Sequence, residues 1–197
     1  MAYTALRRRV YNRGIPPIAF LQEMVAWART APDEIFSANQ KPDIYNKVRF
    51  ELGPYLNLRY RKAVMLEVMR VLAGFESSWN WKEGVDTSRA GSDTAENSEA
   101  GAWQVSYDAR RLAPELQDLL LANQIKTGAQ FQRIMKANHL LAMEFVARLL
   151  RHNTKHNGPL YKGNERFAIR RSLRDAEHSI YPWLSKPSVN EFIKLLS

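Results

Sequence analysis

The sequence predicts a mainly α-helical fold in one compact unit, on three observations. Apolar residues recur at helical spacing along most of the chain. The segment 59–76 is apolar on nearly every side, as a central buried helix is. The 197 residues are 45% hydrophobic, enough for a sizeable core without disulfide staples.

The helical stretches can be taken in order. Residues 18–30 form the first, behind Pro16 and Pro17, which suit a helix start. Residues 31–58 read as irregular, punctuated by Pro32, Pro42, Gly53 and Pro54. In 59–76, Val64, Val68, Val71, Leu72 and Phe75 make one apolar face that Met65, Leu66 and Met69 widen. A loop over 82–100 and a short "GAWQVS" segment follow. Further helices are expected at 114–123, from about 131 to 152, at 166–179 and at 189–196. Residues 1–58 read as a helical and irregular extension packed on a core unit of 59–197.

There is no cysteine, which excludes disulfides and thiolate metal sites. Lys and Arg number 29 against 20 Asp and Glu, a formal charge of +9. That balance favours anionic partners such as nucleic acid, acidic membrane surfaces or bacterial cell wall, or is a solvated basic surface. No apolar run approaches the roughly 20 residues a membrane-spanning helix needs. "IPPIAFLQEMVAWA" is interrupted by Pro16, Pro17 and Glu23 and does not read as a secretory signal.

The chemistry gathers where the long helix ends, in "GFESSWNWKEG". Val68, Leu72 and Glu76 are spaced i, i+4, i+8 and so share one helix face. Glu76 therefore leaves the helix on its buried side, flanked by Phe75 and Trp79. Lost solvation disfavours the charged carboxylate and raises its pKa, as a general acid near neutral pH requires. The plainer alternative is a helix-terminal glutamate paired with an arginine.

"EAGAWQVS" is the second unusual stretch. Gly101 permits close approach of a backbone or a substrate. Trp103 offers a flat face and an N–H, and Gln104 two donors and an acceptor. A buried turn around a core tryptophan is the competing account. The connection 82–100 spans 19 residues and holds five acids, Glu83, Asp86, Asp93, Glu96 and Glu99. Loops beyond about 12–15 residues are usually functional or disordered.

Together these stretches resemble the lysozyme-like lytic transglycosylase superfamily, which includes soluble lytic transglycosylases and goose-type lysozymes. Glu76-Ser77 matches its Glu-Ser at the end of a buried helix. Gly101-Ala102-Trp103-Gln104 matches its Gly-Leu-Met-Gln. Asn138 to Ala142 match the Asn-x-x-x-(Gly/Ala) that opens its next long helix. The third motif, Ala-Tyr-Asn, has only a distant counterpart in Asn157, Gly158 and Tyr161. About half the chain is covered.

The resemblance implies a lysozyme-like helical domain with a central buried helix and a long active-site loop. It implies cleavage of the β-1,4 bond between N-acetylmuramic acid and N-acetylglucosamine in peptidoglycan, with Glu76 protonating the leaving oxygen. A transglycosylase reuses that group as a base while the muramic 6-hydroxyl closes an anhydro ring. An inverting hydrolase holds a second carboxylate about 6.5–9.5 Å away to position water. Asp86, Asp93 and Glu99 are the candidates, with Asp86 and Glu99 ranked ahead because each abuts a motif. Ser77, Trp79, Trp81, Gly101, Trp103, Gln104, Asn157 and Tyr161 are the expected substrate contacts, the tryptophans by stacking on sugar faces.

No cofactor and no metal are expected. His152 and His156 have an H-x3-H spacing, but helix C-terminal capping by cationic side chains is preferred. The partner is then peptidoglycan or a related glycan, without nucleic acid or a membrane span, and an immunity protein if the chain is a delivered toxin. Delivery would go through a holin, a secretion machine or a larger parent protein. Two other functions compete: a chitinase- or chitosanase-like hydrolase, whose cationic polymer an acid-bearing loop would suit, and a non-catalytic basic module binding cell wall or nucleic acid. Against a nucleic-acid module, the basic residues are not interleaved with aromatics in a clear stripe.

Overall fold

The computed structural model describes residues 2–38, 43–54, 57–84, 94–152, 160 and 179–197. The fold is mainly α-helical, and among the described residues there is no strand, only two isolated antiparallel bridges. We label the helices α1 (Ile18–Thr30), α2 (Ile44–Lys47), α3 (Arg49–Leu52), α4 (Leu58–Ser77), α5 (Pro114–Ala122), α6 (Gly128–Ala137), α7 (His139–His152) and α8 (Lys186–Leu195). No helix among the described residues is long and apolar enough to cross a membrane.

Helix α4 is the axis of the core and contacts α1, α2, α7 and α8. It starts where the Asn57 side chain accepts the Tyr60 N–H at 2.9 Å, satisfying one of the first-turn donors. Every residue from Ala63 to Phe75 is buried, including Val68 and Leu72. That run contains Glu67 and Arg70, each with a fully buried side chain. Their pairing is bidentate, with Arg70 Nε and Nη2 each 2.8 Å from a Glu67 oxygen. Glu67 also accepts the Ser185 N–H at 2.9 Å, at the N-cap of α8. One buried acid thus satisfies both an arginine and a helix start, and burial drives its pKa up while Arg70 pulls it down.

The N-terminal stretch is tied to the last helix. The carboxylate of Glu191 accepts the backbone N–H groups of Thr4, Ala5 and Leu6 at 2.7–3.0 Å. Leu6, Val10, Phe20 and Leu21 share one buried cluster with α4 and with Val189 and Phe192 of α8.

Three expectations need correction. The single helix anticipated from about 131 to 152 is two, α6 and α7, broken at Asn138. The Asn138 side chain accepts the Leu141 N–H at 3.1 Å and so starts the second helix. The supposedly irregular segment 31–58 contains a 3-10 turn (Asp33–Phe36) and the short helices α2 and α3. A reciprocal capping box between Asp43 and Asn46 nucleates α2. The last helix begins at Lys186, earlier than 189, because Ser185 caps it by accepting the Ser188 N–H. The helix expected at 166–179 lies, but for Ser179, outside the described residues.

Candidate active site

Glu76 occupies the last turn of α4, and the chain reverses directly after it. Ser78 and Trp79 are both left-handed, with φ of 55° and 63°. Their N–H groups return to Gly74 O and Ala73 O, each at 3.1 Å. The reversal folds the Trp79 indole back beneath the helix, where its N–H donates to Arg70 O at 2.8 Å. Gly74 makes room for it: a Cβ there would stand 2.7 Å from Trp79 Cζ2 and 3.2 Å from Val10 Cγ1.

The "GAWQ" stretch is a tight loop closed by the bridge between Ala100 and Val105, whose N–H···O distances are 3.0 and 3.3 Å. Gly101 has φ of 76°, and a Cβ there would sit 3.0 Å from Met135 O of α6. Only glycine fits both demands without strain. Gln104 is left-handed too, with φ of 44°, and its side-chain amide donates to Gly101 O at 2.8 Å. Trp103 is buried and donates to Met69 O of α4 at 2.8 Å.

Ser77 ties the two stretches together. Its hydroxyl donates to Ala102 O at 2.8 Å, lies 3.3 Å from Ala73 O, and accepts the Asn80 N–H at 3.0 Å. A second tie runs from the Gly101 N–H to Glu83 O at 3.1 Å. The loop carrying Glu99 is therefore held against the end of the helix carrying Glu76.

The Glu76 carboxyl is pushed up to about 7, first by burial, then by the negative charge of Glu99, against a smaller opposing pull from Arg13. Burial alone would make a hydrophobic-pocket acid; the neighbouring carboxylate reinforces it. Glu99 itself is exposed. The result is an acid that still holds its proton near neutrality beside a second carboxyl group in water. That pairing of environments separates an acid role from a base role.

Several expected contacts do other work. Trp79 and Trp103 are only 4% and 3% exposed and spend their N–H groups on α4 carbonyls, so neither ring offers a face to a sugar. Ser77 is likewise a buried tie, not a substrate contact. Trp81 is half-buried, with its ring parallel to His139 at 3.8 Å and edge-on to Trp103 at 5.2 Å. His139 in turn meets Glu23 Oε2 through Nδ1 at 2.5 Å. Gly101 and Gln104 shape the loop. Asp86, Asp93, Asn157 and Tyr161 lie outside the described residues, as does His156. His152 ends α7 and pairs with Glu115. No group of three or more metal-binding side chains occurs among the described residues.

Sequence reasoning did not find Arg13 or Tyr11. The Tyr11 ring stacks on Phe75 with centroids 6.0 Å apart and planes 4° apart, which brings the N-terminal turn to the end of α4. Only the glycine at 14, with φ of 96°, hints in the sequence at a turn there.

Comparisons of the chain with protein-family models, with curated proteins and with solved structures return no match.

Proposed function

We propose that the protein is a peptidoglycan-cleaving glycosidase of lysozyme-like architecture, with Glu76 as general acid. The observation that carries this reading is the half-buried Glu76 carboxyl, raised to about 7 by burial and by Glu99, at the point where a buried helix meets a glycine-started loop. Those are the places where the Glu-Ser and Gly-x-x-Gln resemblances fall, and Ser77 joins them through Ala102.

Chemically, Glu76 gives its proton to the glycosidic oxygen as the bond to the sugar's anomeric carbon breaks. General acid assistance of this kind is worth about 10²–10⁴-fold. Glu99, exposed and able to reach water, takes the part of the base that removes a proton from the attacking water on the opposite face. Its influence on Glu76 favours a hydrolase over a transglycosylase, in which no second carboxylate is needed.

The test is Glu76→Gln, assayed for clearing of purified sacculi and for melting temperature on one preparation. Loss of clearing with the fold retained supports the reading. A variant that still cleaves at near the unmodified rate overturns it. Mass spectrometry of the released muropeptides assigns the reaction: reducing ends mark a hydrolase, anhydro ends a transglycosylase.

A further inference from the structure

The segment before α1 is built into the end of α4. Val10 is fully buried and its N–H donates to Gly14 O at 3.0 Å, closing a small turn over Tyr11–Arg13. Tyr11 stacks on Phe75, the residue before Glu76, and also meets Trp183 edge-on at 6.0 Å. Arg70 Nη1 donates to Arg8 O at 3.3 Å, and Glu191 holds the three N–H groups upstream. The stack on Phe75 sets this turn beside the last turn of α4, and the contacts with Trp183, Arg70 and Glu191 hold the turn and the chain before it.

The stack of Tyr11 on Phe75 brings the turn, and Arg13 with it, near enough to Glu76 for the Arg13 charge to act on that carboxyl. Arg13 is exposed and has no carboxylate within ion-pair distance among the described residues. Arg61, Arg70, Arg110, Arg111 and Arg148 each pair with an acid; Arg13, like several other arginines among the described residues, does not, and what sets it apart is its influence on Glu76. Its charge reaches Glu76 and works against the raised pKa, so tuning of the acid does not account for it. A guanidinium on a tied-down turn, with no ion-pair partner among the described residues, is suited to bind a carboxylate from outside.

We infer that the turn Tyr11–Arg13 forms one wall of the cleft at Glu76, and that Arg13 binds a carboxylate carried by the glycan strand beside the bond that is cut. This rests on the glycosidase reading and narrows it. Peptidoglycan strands bear carboxylates on the peptides hung from alternate sugars, chitin is neutral and chitosan is cationic. Arg13 thus selects peptide-bearing strands over both.

Binding is measured in the Glu76→Gln background, which holds substrate without cutting it. The probes are soluble, uncrosslinked peptidoglycan strands with stem peptides and a neutral β-1,4-linked N-acetylglucosamine oligomer. Adding Arg13→Gln is expected to weaken strand binding about three- to tenfold, as loss of one charge-assisted contact does, with Arg13→Lys recovering most of it. Oligomer binding stays within about twofold. As a kinetic readout, Arg13→Gln alone moves the alkaline limb of the activity profile to higher pH, because an opposing positive charge has been removed from Glu76. Strand binding unchanged by Arg13→Gln, or weakened equally for the neutral oligomer, overturns the inference and leaves the glycosidase reading intact. A protein that neither binds nor cleaves any strand overturns the glycosidase reading first, and this one with it.

Discussion

The Ser77 hydroxyl lies 2.8 Å from the carbonyl oxygen of Ala102 and so bonds the last turn of α4 to the loop that begins at Gly101. The same oxygen accepts the Asn80 N–H at 3.0 Å, so one buried atom organises the helix end, the reversal after it and the neighbouring loop. In Ser77→Ala the Ala102 carbonyl loses its partner, and the Asn80 N–H keeps only its 3.3 Å bond to the Ser77 backbone oxygen. Unsatisfied buried groups cost about 1–3 kcal/mol. We expect a lower melting temperature, and activity reduced more than the stability loss explains, because the Glu76–Glu99 arrangement loosens. Activity intact at a temperature where the variant is fully folded would show that Ser77 holds the fold only.

Glu76 also makes stability depend on pH. Its pKa rises from 4.5 in the reference state to about 7 in the fold. The folded state therefore holds the proton more tightly, and the associated stability is fully present below about pH 4.5 and is lost as pH climbs through about 7. The ionised group costs the fold a few kcal/mol at most, taking ~1.4 kcal/mol per pKa unit and allowing for partial solvent screening. Glu76→Gln removes that cost. The variant should melt higher than the unmodified protein at pH 8 and level with it at pH 4.5. Parallel melting curves across that range would mean that the carboxyl is not held in an apolar setting.

Glu99→Gln tests the second carboxylate through two readouts. Without the nearby negative charge the Glu76 pKa falls, so the alkaline limb of activity moves to lower pH, opposite in sign to Arg13→Gln. If Glu99 is the base proposed above, its loss also reduces hydrolysis by about 10²-fold or more. A limb that moves while the rate at low pH stays high would leave Glu99 an electrostatic neighbour, not the base.

The buried pair on α4 gives a prediction about the fold alone. Arg70→Met leaves Glu67 as an uncompensated buried acid that still has to cap α8 through Ser185. Breaking one partner of such a pair costs about 3–5 kcal/mol. Chemical denaturation should show that loss. Replacing both residues with apolar ones should recover part of it, although the Ser185 N–H then loses its acceptor.

The parts of the fold that were legible in the sequence are those where one local signal decided the matter. Helix α1 runs from Ile18 to Thr30 as its prolines and periodicity indicate, and α4 extends only one residue beyond the expected span at each end. The break at Asn138 was not legible, because apolar spacing continues through it and the interruption depends on where one side-chain oxygen points. The placement of Glu76 on a buried face followed from Val68 and Leu72. The roles of Trp79 and Trp103 did not follow, since composition cannot say whether an indole N–H meets a helix carbonyl or a ligand. Arg13 was illegible for another reason: its approach to Glu76 is created by a ring stack between Tyr11 and Phe75, residues far apart in sequence.

The reversal at Ser78 and Trp79 has a consequence for how the protein fluctuates. The acid stands on the most deeply buried helix, and the turn that ends this helix is locked from below by an indole bonded to Arg70 O. Such a segment belongs to the slowest-exchanging cooperative unit of a protein, opening only when the whole domain does. The amide protons of Ser78 and Trp79 should then exchange with solvent at the rate of global unfolding, although both follow the helix. On the proposed glycosidase reading, breathing of the surrounding surface would admit and release a polymer without displacing Glu76, and heating would abolish the geometry at Glu76 and the core in a single transition.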